Sequence, residues 1–236
     1  MPSPARGLIV ALDGPGSSGK SSVGAAAAAE LDYRFCDTGL LYRAATWLAL
    51  RRDIGPDRPD DLARLADQIH LEADASGRLA RVLVDDDDVT GHVREPEVEV
   101  HVSAISRVPE LRTTLLGRQR DIARAGRIIM AGRDIGTVVL PNADLKIFLN
   151  ASVEERARRR AEERGIEPDH PEAGEVLADL RRRDRIDSTR DVAPLTVPPD
   201  AIVFTTDGNR FDQTVRLVVD AIRQAERAAE ATGARR

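Results

Sequence analysis

Short apolar stretches alternate along the chain with longer segments that have the character of helices. The apolar stretches are LIVALD (8–13), YRFCDTG (33–39), RIIMAGRD (127–134), LKIFLNAS (145–152) and AIVFTTD (201–207). Strands separated by helices are typical of a parallel sheet, and such a sheet is covered by helices on both faces. The pattern therefore predicts an α/β fold with a parallel core sheet.

One region departs from this alternation. Residues 72–102 contain shorter alternating pieces with an SG turn and a DDDD turn, which predict a small antiparallel insertion with helices around it. Within this region, RVLVDDDD resembles the strand and carboxylates of a Walker B motif. Consecutive acids in an antiparallel pattern are more typical of a solvated hairpin tip, so we do not expect a metal ligand there.

A second distinctive region is rich in arginine. Segments 151–165 and 176–195 predict two helices, joined by the Pro- and Gly-containing link GIEPDHPEAG. Such a pair can form a short helical lid over a site, which we expect at about 155–190. The alternative interpretation is a helical surface with ion pairs between residues four apart.

The first predicted strand leads into GPGSSGKSS at 14–22, and the alanine-rich segment GAAAAAEL follows. Strand, glycine-rich loop and helix form the context in which the P-loop pattern G-x-x-x-x-G-K-[ST] binds nucleotide phosphates. Its lysine reaches the β- and γ-phosphates and its hydroxyl ligates Mg²⁺, while backbone N–H groups point at phosphate oxygens. We therefore predict an ATP site with Lys20 as its cation and Ser21 as the Mg²⁺ ligand. The other predicted ATP contacts are Gly14, Pro15, Gly16, Ser17, Ser18, Gly19 and Ser22.

Lysine is rare in this chain, which strengthens the assignment. Of 35 basic residues, only Lys20 and Lys146 are lysines, so Lys20 is not casual surface charge. The alternative is a flexible Ser/Gly turn between a strand and a helix.

Polar residues follow the predicted strands at the point where each strand ends. These are Asp13, the run Asp37-Thr38-Gly39, the run Gly132-Arg133-Asp134, and Asn150-Ala151-Ser152. Parallel sheets bind ligands at the carboxyl ends of their strands. We expect these side chains to converge on one edge of the sheet.

Composition narrows the choice of partners. With 236 residues, one compact unit is expected: a core formed by 1–71 and 103–236, with 72–102 as an inserted subdomain. A net charge of −5 and 3% aromatic residues count against nucleic-acid binding, and no apolar run approaches the roughly 20 residues that span a membrane. The absence of a secretory signal and the single Cys36 favour the cytoplasm. The four histidines lack metal-ligand spacing, and we expect a monomer.

A P-loop alone fits a switch GTPase, a transporter-type ATPase or a small-molecule kinase. Neither lysine is preceded by Asn or Thr, as guanine recognition by N-K-x-D requires, and no L-S-G-G-Q signature is present. A kinase that holds two polyanionic substrates needs arginines for charge neutralisation. Candidates at strand ends or in short polar clusters are Arg43, Arg133, Arg183 and Arg190, with Asp187 among them, although each alone is more often a surface ion pair.

These segments resemble the bacterial cytidylate kinase family. The resemblance is carried in order by GPGSSGKSS, DTGLLYR, SRVPELRTTLLGRQR, AGRDIGTVV, KIFLNASVEERARRR and RRRDRIDSTRDVAPL, between residues 14 and 195. It implies a P-loop NTPase-type fold in which the insertion binds the nucleoside monophosphate. The implied reaction is phosphorylation of CMP and dCMP by ATP with Mg²⁺, as part of pyrimidine nucleotide metabolism.

The resemblance also implies roles for single residues. Arg43, Arg133 and Arg190 match arginines that bind the acceptor phosphate or the transferring group, and Arg183 and Asp187 match the groups that hold the ribose. The positions that match cytosine recognition are Thr38, Ser103, Arg112 and Asp134. Arg156 and Arg160 are expected on the ATP side, and the residues expected to be catalytic are Lys20, Arg133, Arg183 and Arg190. Ile186 stands where some relatives carry another arginine, so the lid would neutralise less charge.

The chemistry of cytosine agrees with these positions. A carboxylate such as Asp134 is the natural acceptor for the N4 amino group of cytosine, and Arg112 and Ser103 can donate to its ring acceptors. Uracil would instead place an acceptor against the carboxylate. Two alternatives remain open at this point: a nucleotide-dependent regulatory switch, and a kinase for shikimate, dephospho-coenzyme A, UMP or AMP.

Overall fold

The computed structural model describes residues 7–233, which form strands and helices in alternation. The strands are β1 (Ile9–Asp13), β2 (Arg34–Asp37), β3 (Ile69–Ala73), β4 (Arg78–Val84), β5 (Asp87–Asp88), β6 (Ile128–Gly132), β7 (Leu145–Asn150) and β8 (Ile202–Thr205). The helices are α1 (Lys20–Leu31), α2 (Gly39–Arg51), α3 (Pro59–Leu65), α4 (Pro96–Ile105), α5 (Pro109–Arg124), α6 (Val153–Glu163), α7 (Pro171–Thr189) and α8 (Phe211–Gly233). A 3₁₀ turn, Ala66–Gln68, follows α3, and a π-helical turn, Ile135–Val139, follows β6.

The strands of the described chain form one sheet in the order β3-β4-β2-β6-β1-β7-β8, with β5 paired to β4. The five strands predicted from the apolar stretches are β1, β2, β6, β7 and β8, and every pairing among them is parallel. The predicted parallel α/β core is therefore confirmed. Because β1 lies between β6 and β7, the loop that follows it opens at the middle of the sheet edge.

The central strands are buried on both faces. On one face, Val10 and Leu12 of β1 pack with residues of α1 and α8, including Val23 and Ile222. Ala11, between them, belongs to the cluster on the opposite face, which contains residues of β6, α5 and the π-helical turn. Alternate side chains of a strand point to opposite faces, so a continuously apolar strand is what a sheet covered on both sides requires.

The predicted antiparallel region forms a hairpin at the edge of the main sheet. Strands β3 and β4 pair antiparallel, and β4 pairs in parallel with β2 at Phe35↔Arg78 and Cys36↔Leu79. The run of acids is the hairpin tip, as predicted: Asp85 and Asp86 have positive φ angles and connect β4 to β5. The hairpin thus continues the core sheet, and the division of the chain into a core and an insertion stays a prediction.

The two arginine-rich helices predicted as a lid are α6 and α7, which pack against each other through Ala157, Val176 and Leu180. This apolar contact is small, and most of the remaining side chains on the two helices are charged. Within residues 7–233, no helix combines the length and the apolar character that crossing a membrane requires.

We predict opposite stability changes for two glycine-to-alanine substitutions in helices. In Gly24→Ala, the new Cβ of α1 would lie 2.5 Å from Phe35 Cε2 and 2.9 Å from Leu12 Cδ2. Overpacking should reduce the free energy of unfolding by about 1–3 kcal/mol, more than the gain in helix propensity. Gly117→Ala in α5 meets nothing within 4 Å and should stabilise by up to about 1 kcal/mol. Urea unfolding at constant m-value measures both, and equal gains would show that α1 is not pressed against the sheet.

Candidate active site

The loop between β1 and α1 has the shape that the P-loop pattern predicts. Gly14 has a φ of +153°, and a Cβ there would lie 2.2 Å from the carbonyl oxygen of Leu149, so only glycine fits. Gly19, with a φ of +89°, directly precedes the first residue of α1. The loop therefore ends at the N-terminus of a helix, where backbone N–H groups and the helix dipole favour an anion.

Lys20 is the first residue of α1, and its ammonium group lies inside this loop. Its Nζ donates to the carbonyl oxygen of Pro15 at 2.6 Å and to Ser18 Oγ at 3.3 Å. Burial lowers the pKa of Lys20 well below its ordinary value, and Arg133 acts in the same direction, while Asp37 and Asp13 oppose it. The loop's own oxygens hold the lysine at the place where phosphate oxygens are expected.

Oxygen groups suited to Mg²⁺ lie at the base of the loop. Ser21 Oγ donates to Asp37 Oδ2 at 2.7 Å, which joins the end of β2 to the start of α1. Among residues 7–233, no group of three or more His, Cys, Asp or Glu side chains could hold a metal ion. Mg²⁺ is usually bound through one or two protein oxygens together with substrate phosphates and water, so a hydroxyl beside a carboxylate fits it.

Asp13, at the end of β1, fixes the segment that follows β6. Its carboxylate accepts from the backbone N–H groups of Ile135 at 2.8 Å and Gly136 at 2.7 Å. Burial raises the pKa of Asp13 to about 6, although these two hydrogen bonds act in the opposite direction. The π-helical turn is therefore tied to the P-loop strand, and it holds the preceding Arg133 and Asp134 at the sheet edge.

The residues predicted to recognise cytosine lie together. Asp134 accepts from Arg112 Nη2 at 2.5 Å and from Arg190 Nη2 at 3.5 Å, and all three side chains are buried. The Arg112 guanidinium also lies 5.3 Å from the centre of the Tyr42 ring. Two arginines thus share one carboxylate, and an aromatic ring contacts one of those arginines, so an otherwise costly buried charge is paired.

Two further predicted residues line the same cleft. Thr38 is buried at the start of α2, where its hydroxyl donates to the carbonyl oxygen of Ala131 at 2.9 Å. Ser103, on α4, also lines the cleft. A third group, Arg133, donates through Nε to Asp187 at 2.8 Å and lies beside Gly16 of the P-loop. Arg133 therefore connects the phosphate loop to helix α7.

Glu99 of α4 contacts three of the predicted arginines. Its carboxylate accepts from Arg43, Arg183 and Arg160, at distances of 3.4, 2.6 and 3.0 Å. Burial alone would raise its pKa, but Arg43, Arg183 and Arg160 outweigh burial and lower the pKa of Glu99 to about 2. Arg160, predicted on the ATP side, thus lies with residues predicted on the acceptor side.

Arg156 has a different surrounding from Arg160, four residues away on α6. Its guanidinium is buried and donates to the carbonyl oxygens of Ala151 and Gly16, both at 3.0 Å, and to Asp184 at 2.5 Å. Its donors are thus directed at protein groups, and the side chain does not line the cleft. Its contact with ATP stays a prediction, while its contact with the P-loop backbone is direct.

Together these groups line a cleft of about 290 Å³ at the carboxyl ends of the strands. Another groove, of about 540 Å³, lies elsewhere between α1 and the β3-β4 hairpin, and four alanines of α1 are among its lining residues. We place the candidate site in the smaller cleft because the P-loop, the buried carboxylates and the arginines converge there.

The cleft brings together most residues predicted from the sequence. Its lining includes Gly16, Ser17, Gly19, Lys20, Ser21, Ser22, Thr38, Arg43, Ser103, Arg112, Arg133, Asp134, Arg160, Arg183, Asp187 and Arg190. Three further residues line the cleft without a role predicted from the sequence: Glu99, Asp37 and Tyr42. The position of Asp37 at a strand end was a usable signal, whereas Glu99 lies on a helix with several other acids.

Comparisons with known proteins agree with a nucleotide kinase site in this cleft. A family model described as cytidylate kinase matches residues 10–224. The cytidylate kinase of Enterococcus faecalis is 42% identical over 220 residues, covering 92% of this chain and 96% of that protein. The cytidylate kinase of Mycolicibacterium paratuberculosis is 44% identical over 221 residues, with the same coverage of 92% and 96%.

Similarity to a solved structure supports the fold alone. The crystal structure of an uncharacterized protein from Eubacterium ventriosum aligns with a TM-score of 0.50 at 11% identity, covering 92% of this chain and 98% of that chain.

We predict that Arg156→Ala destabilises the protein more than Arg158→Ala does. Arg156 is buried between the P-loop and Asp184, whereas Arg158, on the same helix, forms exposed pairs with Glu155 and Glu162. Loss of the buried contacts should cost about 1–3 kcal/mol of unfolding free energy, and loss of the exposed pairs less than about 0.5 kcal/mol. Denaturant midpoints measure the difference. Equal losses would show that Arg156 does not support the phosphate loop.

Proposed function

The chain belongs to the cytidylate kinase family, and we propose that its cleft transfers the γ-phosphoryl group of ATP directly to the 5′-phosphate of CMP or dCMP. The observation that carries the assignment of roles is the juxtaposition in one cleft of a P-loop with Lys20 and an arginine-carboxylate cluster around Asp134. The P-loop suits a nucleoside triphosphate, and the cluster around Asp134 suits a base with an exocyclic amino group.

On the donor side, the phosphates of ATP take over the contacts that Lys20 makes with the P-loop. Lys20 Nζ is hydrogen-bonded to the carbonyl oxygen of Pro15 and to Ser18 Oγ. With ATP bound, it donates instead to oxygens of the β- and γ-phosphates. Those phosphates favour the charged ammonium and raise the pKa of Lys20 that burial lowers. Ser21 and Asp37 are the groups that would hold Mg²⁺. When bound, Mg²⁺ neutralises charge on the ATP phosphates.

On the acceptor side, the base and the phosphate use different ends of the cleft. Asp134 accepts from the cytosine amino group, and Arg112 and Ser103 donate to the ring acceptors. Arg43, Arg133 and Arg190 bind the acceptor phosphate or the transferring group, and Arg183 and Asp187 hold the ribose. The connection of Arg133 to both Gly16 and Asp187 supports a position between the two substrates.

Transfer needs no protein nucleophile. An oxygen of the CMP phosphate forms a bond to the γ-phosphorus as the bond from that phosphorus to the β–γ bridging oxygen breaks, giving CDP and ADP. The protein contributes alignment and positive charge, which are the main sources of catalysis in phosphoryl transfer. Helices α6 and α7 carry Arg160 and Arg183 to the cleft, so their closure would also exclude water as a competing acceptor.

A panel of acceptors at one ATP concentration tests the proposal. Coupled detection of ADP should show turnover with CMP and dCMP that exceeds turnover with UMP, AMP, shikimate and dephospho-coenzyme A. ADP release that does not depend on an acceptor would favour a regulatory switch instead. Preference for another acceptor would reassign the cluster around Asp134.

The monomeric state and the cytoplasmic location stay predictions, which sedimentation and cell fractionation address.

Lys20→Ala should reduce kcat by at least about 10²-fold, because it removes a cation that stabilises charge on the transferring group. The matched control is Lys146→Ala, which removes a buried lysine that pairs with Asp200. Both proteins should keep their far-ultraviolet circular dichroism, and steady-state kinetics should show the loss only for Lys20→Ala. Near-normal turnover of a folded Lys20→Ala protein would contradict the role of the P-loop.

Asp134→Asn should reduce the preference for CMP over UMP. An amide is a weaker acceptor for the cytosine amino group, and its own amino group can donate to the O4 of uracil. The ratio of kcat/KM values for CMP and UMP should fall by about 10- to 100-fold. Asp187→Asn, which also removes a carboxylate that pairs with an arginine, should lower both activities without changing the ratio. Equal losses on both acceptors for Asp134→Asn would place Asp134 in phosphate chemistry instead of base recognition.

A further inference from the structure

Glu99 connects its own helix to three other helices across the cleft. It lies on α4 and pairs with Arg43 of α2, Arg160 of α6 and Arg183 of α7. Only 13% of its side chain is exposed, and each of its oxygens accepts from two guanidinium groups: Oε1 from Arg43 and Arg183, and Oε2 from Arg43 and Arg160. A single carboxylate is therefore the common partner of all three arginines.

These guanidinium groups are among those assigned above to the substrates. Arginine binds carboxylates and phosphates with the same planar set of N–H donors, so a donor engaged by one is not available to the other. Arg183 donates through Nη1 to Glu99 Oε1 at 2.6 Å. Arg43 donates to both oxygens of Glu99, at 3.4 Å each, and to the carbonyl oxygen of Val93 at 3.5 Å. An arriving phosphate thus meets two guanidinium groups that already donate to a carboxylate.

We propose that Glu99 controls acceptor affinity as an internal competitor: it pairs with Arg43 and Arg183 before the acceptor binds, the acceptor phosphate displaces it from them, and it thereby raises the KM for CMP. This inference rests on the proposed function, which assigns the acceptor phosphate and ribose to those arginines. It adds to that function a residue whose removal improves acceptor binding.

The surroundings of Glu99 favour competition over help in positioning the arginines. The carboxylate ties α4 to α6 and α7 across the cleft. Opening α6 and α7 away from α4 breaks the pairs with Arg160 and Arg183. The three arginines lower the pKa of Glu99 to about 2, so the carboxylate is ionised and this attraction is present at neutral pH. Both effects oppose the entry of the acceptor.

The test compares wild type, Glu99→Gln and a matched control, Glu97→Gln. Glutamine keeps the shape of the side chain and removes its charge, and Glu97 is an exposed residue two positions earlier on the same helix. We expect the KM for CMP to fall by about 3- to 30-fold in Glu99→Gln, the effect of weakening one partly exposed, charge-assisted contact. In Glu97→Gln it should stay within about twofold of wild type.

A second probe does not require turnover. Inorganic phosphate, titrated by calorimetry, should bind Glu99→Gln more tightly than wild type by a similar factor. Glu99→Ala gives the same comparison if the glutamine variant does not fold. A structural role for Glu99, in which it positions Arg43 and Arg183, predicts the opposite sign: a higher KM for CMP and weaker phosphate binding.

The outcomes separate this inference from the proposed function. Wild type that phosphorylates CMP, with a KM that rises or does not change in Glu99→Gln, overturns the inference and leaves the function in place. A lower KM for ATP alone also overturns it, because Glu99 would then mask the donor side. Wild type that does not phosphorylate CMP overturns the proposed function, and with it the assignment of Glu99 to an acceptor site.

Discussion

The attraction between arginine and carboxylate in a partly buried cleft is the interaction on which the rest of the site depends. A cleft that binds phosphates needs several cations close together, and without phosphates those cations repel one another. Arg112 and Arg190 share Asp134, Arg133 pairs with Asp187, and three arginines share Glu99. Each buried carboxylate offsets the desolvation and mutual repulsion of its neighbours. The cleft is therefore organised by the same kind of contact that the proposed substrates would make with these arginines.

The architecture explains why these charges come from so many parts of the sequence. Parallel strands end at one edge of the sheet, so Asp37, the last residue of β2, and Asp134, just after β6, lie near the P-loop although they are far apart in the chain. Helices α4, α6 and α7 then bring Glu99, Arg160 and Arg183 to the same edge. Because partners belong to different helices, a change of partner at the site is also a change in how those helices contact one another.

The sequence was sufficient for the elements whose signal is local. The P-loop pattern lies at the strand-to-helix junction where its mechanism needs it, and all five apolar stretches are strands. The orientation of helical arginines was not accessible in the same way. Arg156 and Arg160 are four residues apart on α6 and were assigned the same role, yet Arg156 contacts Gly16 while Arg160 contacts Glu99. What separates them is the packing of α6 between the P-loop and α4, a tertiary contact that helical periodicity does not encode. Glu99 was missed for the same reason, because only the fold identifies which acid of α4 faces the arginines.

Two carboxylates of the cleft, Asp134 and Glu99, differ in what the proposed substrate brings to them. In the proposed assignment, the base end receives neutral cytosine with its amino donor, so Asp134 would keep a favourable partner after binding and its charge would contribute to recognition. At the other end, the substrate brings a doubly charged phosphate to arginines that already have an anion. Adding that phosphate beside Glu99 would place like charges close together in a site of low dielectric. The same residue type, paired with the same cation, therefore favours binding at one end of the cleft and opposes it at the other.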